Sequence, residues 1–74
     1  MRLCDLKKGE RAEILSVNLP SPLRERLLVM GLTPGSVISF YGKAPFGSPL
    51  IFRLRGYAVS LRKENVSEIE VKLL

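Results

Sequence analysis

The sequence predicts a mainly β fold, a small barrel of about five short strands with one short α-helix between the first two strands. Three observations lead to this prediction. Five apolar segments contain alternating or β-branched residues, and turns with glycine or proline separate them. A further segment has the spacing of an amphipathic helix. The 74 residues leave room for one domain, residues 1–74, and so small a sheet protects its edges best by curling into a barrel.

The first strand is predicted over Arg11–Val17, where the residues RAEILSV are rich in apolar and β-branched types. Its alternation is imperfect because Ile14 and Leu15 are adjacent, so we expect both faces of the strand to be partly covered. Before this strand, Leu3 and Leu6 are expected to pack as an apolar anchor.

The helix is predicted to start at Ser21, a good N-cap, with Pro22 at the first helical position, where its missing N–H costs nothing. Its apolar stripe follows the i, i+4, i+7 pattern and consists of Leu23, Leu27 and Met30. Gly31 is expected to end the helix in the left-handed conformation, which places Leu32 over Leu27.

A type II turn is predicted at Thr33–Ser36, because Pro34 and Gly35 occupy the two central positions where this turn favours proline and glycine. The turn leads into a second strand, Ser36–Tyr41. A loop, Gly42–Pro49, follows and contains two glycines and two prolines.

Leu50 to Arg62 is predicted to form a hairpin whose two-residue turn is Gly56-Tyr57, of type II′ with glycine first. The cross-strand pairs that follow from this turn are Arg55 with Ala58, Leu54 with Val59, Arg53 with Ser60 and Phe52 with Leu61. The apolar members of these pairs then share one face of the hairpin, and the arginines share the other.

The chain closes with a segment over Lys63–Glu68, predicted to be either a short turn or a single helical turn, and a last strand over Ile69–Leu73. Alternation along this strand directs Ile69, Val71 and Leu73 inward.

Basic residues outnumber acidic residues by 12 to 7, which gives a net charge of +5. No acidic residue occurs between Arg26 and Lys63. Such a basic middle section attracts an anionic partner, for example a nucleic acid, a phosphate or an acidic protein surface, or it serves only as a well-solvated surface.

A single cysteine excludes an intrachain disulfide, and no apolar run is long enough for a signal peptide or a transmembrane helix. We therefore expect a cytoplasmic protein without direct membrane insertion. The lack of histidine removes the commonest general base and metal ligand, and Cys4 and Asp5 alone do not complete a metal site. The sequence predicts no catalytic residues, no cofactor and no metal site, which means a protein that is not an enzyme.

Two features suggest a binding function. Arg53 and Arg55 form a basic stripe on the hairpin, which Arg62 and Lys63 could extend, or else they belong to a solvated sheet face. The loop around Phe46 presents an apolar ring between two prolines, and a rigid loop loses little entropy on binding. The alternative for Phe46 is that it folds back as a lid on the end of the barrel.

Four motifs together resemble the FeoA family, small accessory proteins of bacterial ferrous iron uptake. With x for any residue, they are Leu6-x-x-Gly9, Arg26-Leu27-x-x-Met30-Gly31-Leu32-x-Pro34-Gly35, Ala44-Pro45-Phe46-Gly47-x-Pro49 and Leu61-Arg62 before a final I-x-V strand. The resemblance covers nearly the whole chain. It implies an SH3-like β-barrel crossed by one helix, which agrees with the strand count above.

The resemblance also implies a partner, the cytosolic region of the FeoB membrane GTPase that moves Fe(II). Family descriptions attach transition-metal binding, for which this sequence offers no ligand set. The same domain also occurs in metal-dependent transcriptional repressors. Ser48 departs from the family pattern because many members have an acidic residue there, and the connection Asn18–Pro22 is short and rich in proline. A family contact made by a carboxylate at position 48 is therefore absent here, and no shared role is assigned to Asn18–Pro22.

These observations favour a non-enzymatic accessory protein that binds and modulates a FeoB-type transporter. The residues expected to contact the partner are Pro45, Phe46, Pro49, Arg53 and Arg55. The alternative is a small basic barrel that binds nucleic acid. It is less favoured because single-strand binding usually needs aromatic rings along a basic groove, and the candidates here are Tyr41 and Phe46 alone. An iron-sensing or iron-carrying module is disfavoured by the missing ligands.

Overall fold

Five antiparallel strands and two short helices make up the computed structural model, which describes Met1–Leu74. The strands are β1 Arg11–Val17, β2 Val37–Lys43, β3 Leu50–Leu54, β4 Tyr57–Leu61 and β5 Ile69–Leu73; the helices are α1 Leu23–Val29 and α2 Lys63–Val66. A single 3₁₀ turn lies at Leu3–Asp5, and a tight turn at Pro45–Gly47 contains one residue, Phe46, whose φ is not helical. The predicted mainly β class, with a helix between the first two strands, is confirmed. Neither helix has the length and apolar character needed to cross a bilayer.

The strands form one sheet in the order β4-β3-β2-β1-β5. Since no second sheet covers its inner face, the sheet bends around its own side chains. Sixteen buried apolar residues form this core, and they come from every strand as well as from Leu27 of α1 and Val66 of α2. Burial of apolar surface around one shared centre is the main stabilising term for so small a fold.

The two ends of the sheet, β4 and β5, are not hydrogen-bonded to each other. The outer edge of β5 is instead covered by the N-terminus. Arg2 forms an isolated antiparallel bridge with Glu70, and the Val71 N–H donates to the Met1 carbonyl at 2.7 Å. Pairing of this kind protects an edge that would otherwise be free to bind another chain. Leu3 and Leu6, which follow, are buried as predicted.

The C-terminal end of α1 at Gly31 has the left-handed conformation that the sequence predicts. Gly31 has a φ of +104°, the Leu32 N–H donates to the Leu27 carbonyl at 3.0 Å, and the Gly31 N–H donates to the Leu28 carbonyl at 3.0 Å. These two bonds define a Schellman motif. Leu27 is fully buried by it. The other members of the predicted stripe, Leu23 and Met30, are partly buried against the core.

The start of α1 differs from the prediction. The Arg24 N–H already donates to the Pro20 carbonyl at 3.1 Å, so the first helical turn begins earlier than expected. Ser21 lies inside that turn and does not act as the N-cap. Its hydroxyl instead donates to the Glu25 carboxylate, with an Oγ–Oε2 distance of 2.9 Å. Pro22 precedes the first helical residue, Leu23.

A β-bulge explains the adjacent apolar residues of β1. The pairing with β5 shifts between Ile14 and Ser16, and this turns Leu15 outward so that 47% of it is exposed. Both faces of β1 are partly covered, as expected, because Glu13 is partly buried and Leu15 is only 47% exposed. Leu73 of β5 was expected to point inward, but it is 46% exposed where it pairs with Ala12 near the end of the chain.

The predicted type II turn is confirmed, since Gly35 has a φ of +94° and the Ser36 N–H donates to the Thr33 carbonyl at 3.0 Å. The strand after it is longer than expected. A second bulge follows Phe40, and β2 then resumes its pairing with β3, with Gly42 opposite Ile51. The loop is correspondingly shorter than predicted.

The predicted register of the β3–β4 hairpin is wrong. Leu54 pairs with Tyr57 and Phe52 pairs with Val59, so the turn is Arg55-Gly56. Both turn residues have positive φ, 51° and 86°, which is the signature of a type I′ turn and not of type II′. Moving the turn by one residue changes each cross-strand partner by two, and this keeps the same side chains on the same face. The apolar pattern therefore could not separate the two registers.

Candidate functional site

The predicted binding residues lie at two separate places. The Phe46 loop, Ala44–Pro49, joins β2 to β3 at one end of the hairpin, whereas Arg55 lies in the turn at the other end of β3. Leu50 and Arg55 are five residue steps apart along extended chain, a distance of about 17 Å at the usual rise of a strand. The structure therefore places the loop and the arginines at opposite ends of one strand and does not join them in one site.

The Phe46 loop is held by its own backbone. The Ala44 N–H donates to the Pro49 carbonyl at 3.0 Å, and the Gly47 N–H donates to the Ala44 carbonyl at 3.0 Å. Between these bonds, Phe46 has a φ of +72° and its ring is fully exposed. Phe46 is thus not a lid on the barrel. A phenylalanine in the left-handed region is uncommon and carries a conformational cost.

An apolar cavity of about 360 Å³ lies at the base of the Phe46 loop. Its lining comes from the N-terminal segment, β2, β3 and α2: Leu3, Cys4, Leu6, Phe40, Lys43, Leu50, Phe52, Lys63 and Val66. Lys43 and Leu50 are the strand residues on either side of the loop. The sequence did not indicate this cavity, because it exists only where the N-terminal segment meets the hairpin, and no local pattern records that contact.

A basic groove lies at the other end of the hairpin, with a volume of about 450 Å³. We use this name for the hollow lined by Arg11, Gly35, Ser36, Val37, Ser39, Arg53, Arg55 and Gly56. The sheet register builds it, because Arg11 of β1 lies opposite Ser39 of β2, and Ser39 lies opposite Arg53 of β3. Arg11 was missing from the predicted site, and only the pairing of β1 with β2 could have indicated it.

Two of the groove arginines are held by neighbouring side chains. The guanidinium of Arg53 lies 5.6 Å from the centre of the Tyr41 ring, a cation–π contact. Arg55 donates from Nη2 to the Ser36 hydroxyl at 3.3 Å. Ser36 is itself buried and within 3.0 Å of the Thr33 hydroxyl, so it is a fixed support for Arg55.

Arg62 and Lys63 do not extend the basic groove. Arg62 lines a separate hollow with Ser48, Pro49 and Ser60, beside the Phe46 loop, and Lys63 lines the apolar cavity. The possible extension of the stripe through these two residues is therefore wrong. They lie at the same end of the molecule as Phe46.

Potential metal ligands are dispersed. No group of three or more cysteine, aspartate or glutamate side chains comes together in a way that could hold an ion. Cys4 is exposed, and its Sγ lies 3.8 Å from Oδ1 of Asp5.

Comparison with known proteins shows what this arrangement resembles. A family model described as the FeoA domain matches residues 1–73. A protein of Porphyromonas gingivalis named as a fusion of Fe(2+) transport protein A and the Fe(2+) transporter FeoB is 39% identical over 74 residues. The match covers 100% of this chain and 9% of that relative, so the chain spans less than a tenth of the fusion protein.

Solved structures agree with this result. The solution structure of the FeoA protein from Chlorobium tepidum has a TM-score of 0.93 at 34% identity, covering 100% of this chain and 70% of that one. The FeoA of Stenotrophomonas maltophilia, crystallised with zinc and described as a prokaryotic SH3 domain protein, has a TM-score of 0.83 at 25% identity, covering 97% and 89%. The SH3-like fold implied by the sequence motifs is thereby confirmed. The chain belongs to the FeoA domain family, whose members take part in ferrous iron transport.

Proposed function

We propose that residues 1–74 form one non-enzymatic accessory domain of ferrous iron transport that works in the cytoplasm without a cofactor. In this proposal it binds and modulates the cytosolic region of a FeoB-type membrane GTPase. The fusion protein of Porphyromonas gingivalis supports the choice of partner, because it joins the two components in one polypeptide.

The observation that carries this proposal is the exposed ring of Phe46. The side chain is fully exposed and its backbone is in the left-handed region, so folding of this chain alone gives no reason for a phenylalanine there. A large aromatic ring is an effective anchor at an interface. Pro45 and Pro49 restrict the loop, which reduces the entropy lost on binding.

The apolar cavity adds to this surface, because Lys43 and Leu50, which flank the Phe46 loop, are among its lining residues. Its lining includes the basic residues Lys43 and Lys63, and Arg62 lines the hollow beside the loop. An apolar centre with a basic rim fits a partner surface that presents an apolar side chain among acidic ones. The basic groove, with Arg53 and Arg55, lies further away and would contribute mainly to the association rate.

The test is kinetic binding to the soluble GTPase domain of a cognate transporter, with and without GTP. Phe46→Ala is expected to weaken binding by about tenfold or more, as for an interface anchor, and to leave the thermal melt unchanged. Val29→Ala is the matched control, because Val29 is 88% exposed on α1, away from the loop. The double variant Arg53→Ala/Arg55→Ala is expected to reduce the association rate and to change the salt dependence.

Two results would contradict this proposal. One is equal binding by Phe46→Ala and the wild-type chain, which would place the interface elsewhere. The other is equal weakening by Phe46→Ala and Val29→Ala, which would indicate general adhesion through exposed apolar residues.

A further inference from the structure

We propose that the basic groove binds a short polyphosphate chain, such as the di- or triphosphate of a nucleotide. The groove is at the opposite end of β3 from the Phe46 loop, and this inference does not depend on the identity of a protein partner. It follows from three properties of the groove: its positive charge, the spacing of its arginines, and the contacts that orient Arg53 and Arg55.

The groove concentrates positive charge that no carboxylate neutralises. Arg11, Arg53 and Arg55 line it, and no acidic residue does. The ion pairs of the molecule lie elsewhere, since both involve Glu70, with the N-terminal amine at 3.6 Å and with Arg2 at 3.7 Å. Three neighbouring cations without counter-charges raise the local potential and favour a multiply charged anion.

One carboxylate shares the outer face of β1 with Arg11. Glu13 lies two residues along the strand, opposite Val37 on one side and Lys72 on the other. It does not line the groove, and it forms no ion pair. Glu13 therefore lowers the potential near the groove without occupying it, which makes it a useful position for a test.

The spacing of the arginines suits more than one phosphate. Arg11 and Arg53 occupy the same row of the sheet, separated by the strand that carries Ser39. Two strand spacings place their backbones about 10 Å apart. Long side chains can close on a chain of two or three phosphates from both sides, with the Ser39 hydroxyl between them. Guanidinium groups are well suited to this because each presents a planar fork of donors.

Two of the three arginines, Arg53 and Arg55, lose little freedom when such a ligand binds. Tyr41 already packs against Arg53, and the buried hydroxyl of Ser36 already accepts a hydrogen bond from Arg55. Preoriented side chains reduce the entropic cost of binding.

A nucleic acid fits the same residues less well. Non-specific binding of single strands uses a basic track with several rings on which bases stack. Here the arginines converge on one hollow, and Tyr41 already contacts Arg53. The observations therefore favour a compact ligand.

The experiment is titration calorimetry of the isolated chain with inorganic pyrophosphate and tripolyphosphate at two salt concentrations. Arg11→Gln and Arg53→Gln are each expected to weaken binding about tenfold, the effect of losing one charge-assisted hydrogen bond. Arg26→Gln is the matched control, because it removes the same charge from the exposed side of α1, and it is expected to change the affinity by less than about twofold. Glu13→Gln is expected to strengthen binding.

Thermal melts of each variant establish that it is folded. Equal weakening by Arg26→Gln and Arg53→Gln would overturn the proposal, because net charge alone would then explain binding. Citrate binding as tightly as tripolyphosphate would overturn the assignment to phosphate. A single-stranded oligonucleotide that binds more tightly than tripolyphosphate, through the same arginines, would show that the groove is a nucleic-acid site instead. No saturable binding of either phosphate at the lower salt concentration would also refute the inference.

Discussion

Phe46 combines a fully exposed ring with a backbone φ of +72°, and each property has a consequence for stability. Asparagine tolerates the left-handed region better than phenylalanine, and no buried contact is lost when an exposed ring is removed. We expect Phe46→Asn to raise the free energy of unfolding by about 0.5–1 kcal/mol, measured by urea denaturation. Phe46→Ala is the control, since it removes the ring but keeps the unfavourable φ. A less stable Phe46→Asn variant would mean that the ring contributes to packing.

Arg55 is the second non-glycine residue with a positive φ, at 51°. It occupies the first central position of the type I′ turn. Asn-Gly is the preferred pair for this turn, whereas Arg-Gly is not. Arg55→Asn is therefore expected to raise the free energy of unfolding by about 0.5 kcal/mol. The loss of the hydrogen bond from Arg55 to Ser36 reduces this gain. The measurement is the midpoint of chemical denaturation. If the register were the Gly56-Tyr57 register expected from sequence, the same substitution would place asparagine on an exposed strand and would not stabilise it.

At the scale of elements, the end of α1 is held against the sheet at Gly31. A Cβ built there would lie 2.7 Å from the Tyr57 hydroxyl and 3.0 Å from Cδ2 of Leu54, and the φ is +104°. Gly31→Ala therefore adds backbone strain and forces the ends of two side chains to move, and we expect it to cost about 1–3 kcal/mol, more than the strain alone. Gly56→Ala is the matched control, because φ is +86° there and no atom lies within 4 Å.

Equal losses of stability for Gly31→Ala and Gly56→Ala would show that the contact between α1 and β4 is easily rearranged. The Tyr57 hydroxyl donates to the Met30 carbonyl, so this contact is also the hydrogen bond that joins the helix to the hairpin. Removing that hydroxyl in Gly31→Ala/Tyr57→Phe is expected to recover part of the loss, because the closest colliding atom is gone.

The same elements show how far sequence reasoning reaches. β1, β5 and the end of α1 were predicted with their observed bounds, because periodicity and glycine placement are local signals. The hairpin register was missed because both registers bury Phe52 and Leu54. The basic stripe was predicted, but Arg11 was not, since it joins Arg53 only through two strand pairings. Local patterns therefore identified the parts of the candidate site, and the sheet register decided which parts meet.

At the scale of the whole molecule, the distribution of ligand-type side chains predicts weak metal binding. There is no histidine, and Cys4 with Asp5 offers one thiol and one carboxylate at an exposed position. Anaerobic titration calorimetry with Fe(II) and with Zn(II) is expected to show no stoichiometric, submicromolar site in the monomer. Tight stoichiometric binding that Cys4→Ser abolishes would contradict this expectation and would identify the first ligand.

The positions of the two tyrosines give the protein its own optical probes. The chain has no tryptophan, so Tyr41 and Tyr57 dominate its near-ultraviolet absorption and emission. Tyr57 is hydrogen-bonded to the end of α1, and Tyr41 lies beneath the guanidinium of Arg53. Replacing one tyrosine by phenylalanine leaves a single reporter. Tyr41→Phe would follow the docking of the helix during unfolding, and Tyr57→Phe would follow the basic groove while a ligand is added, without any attached dye.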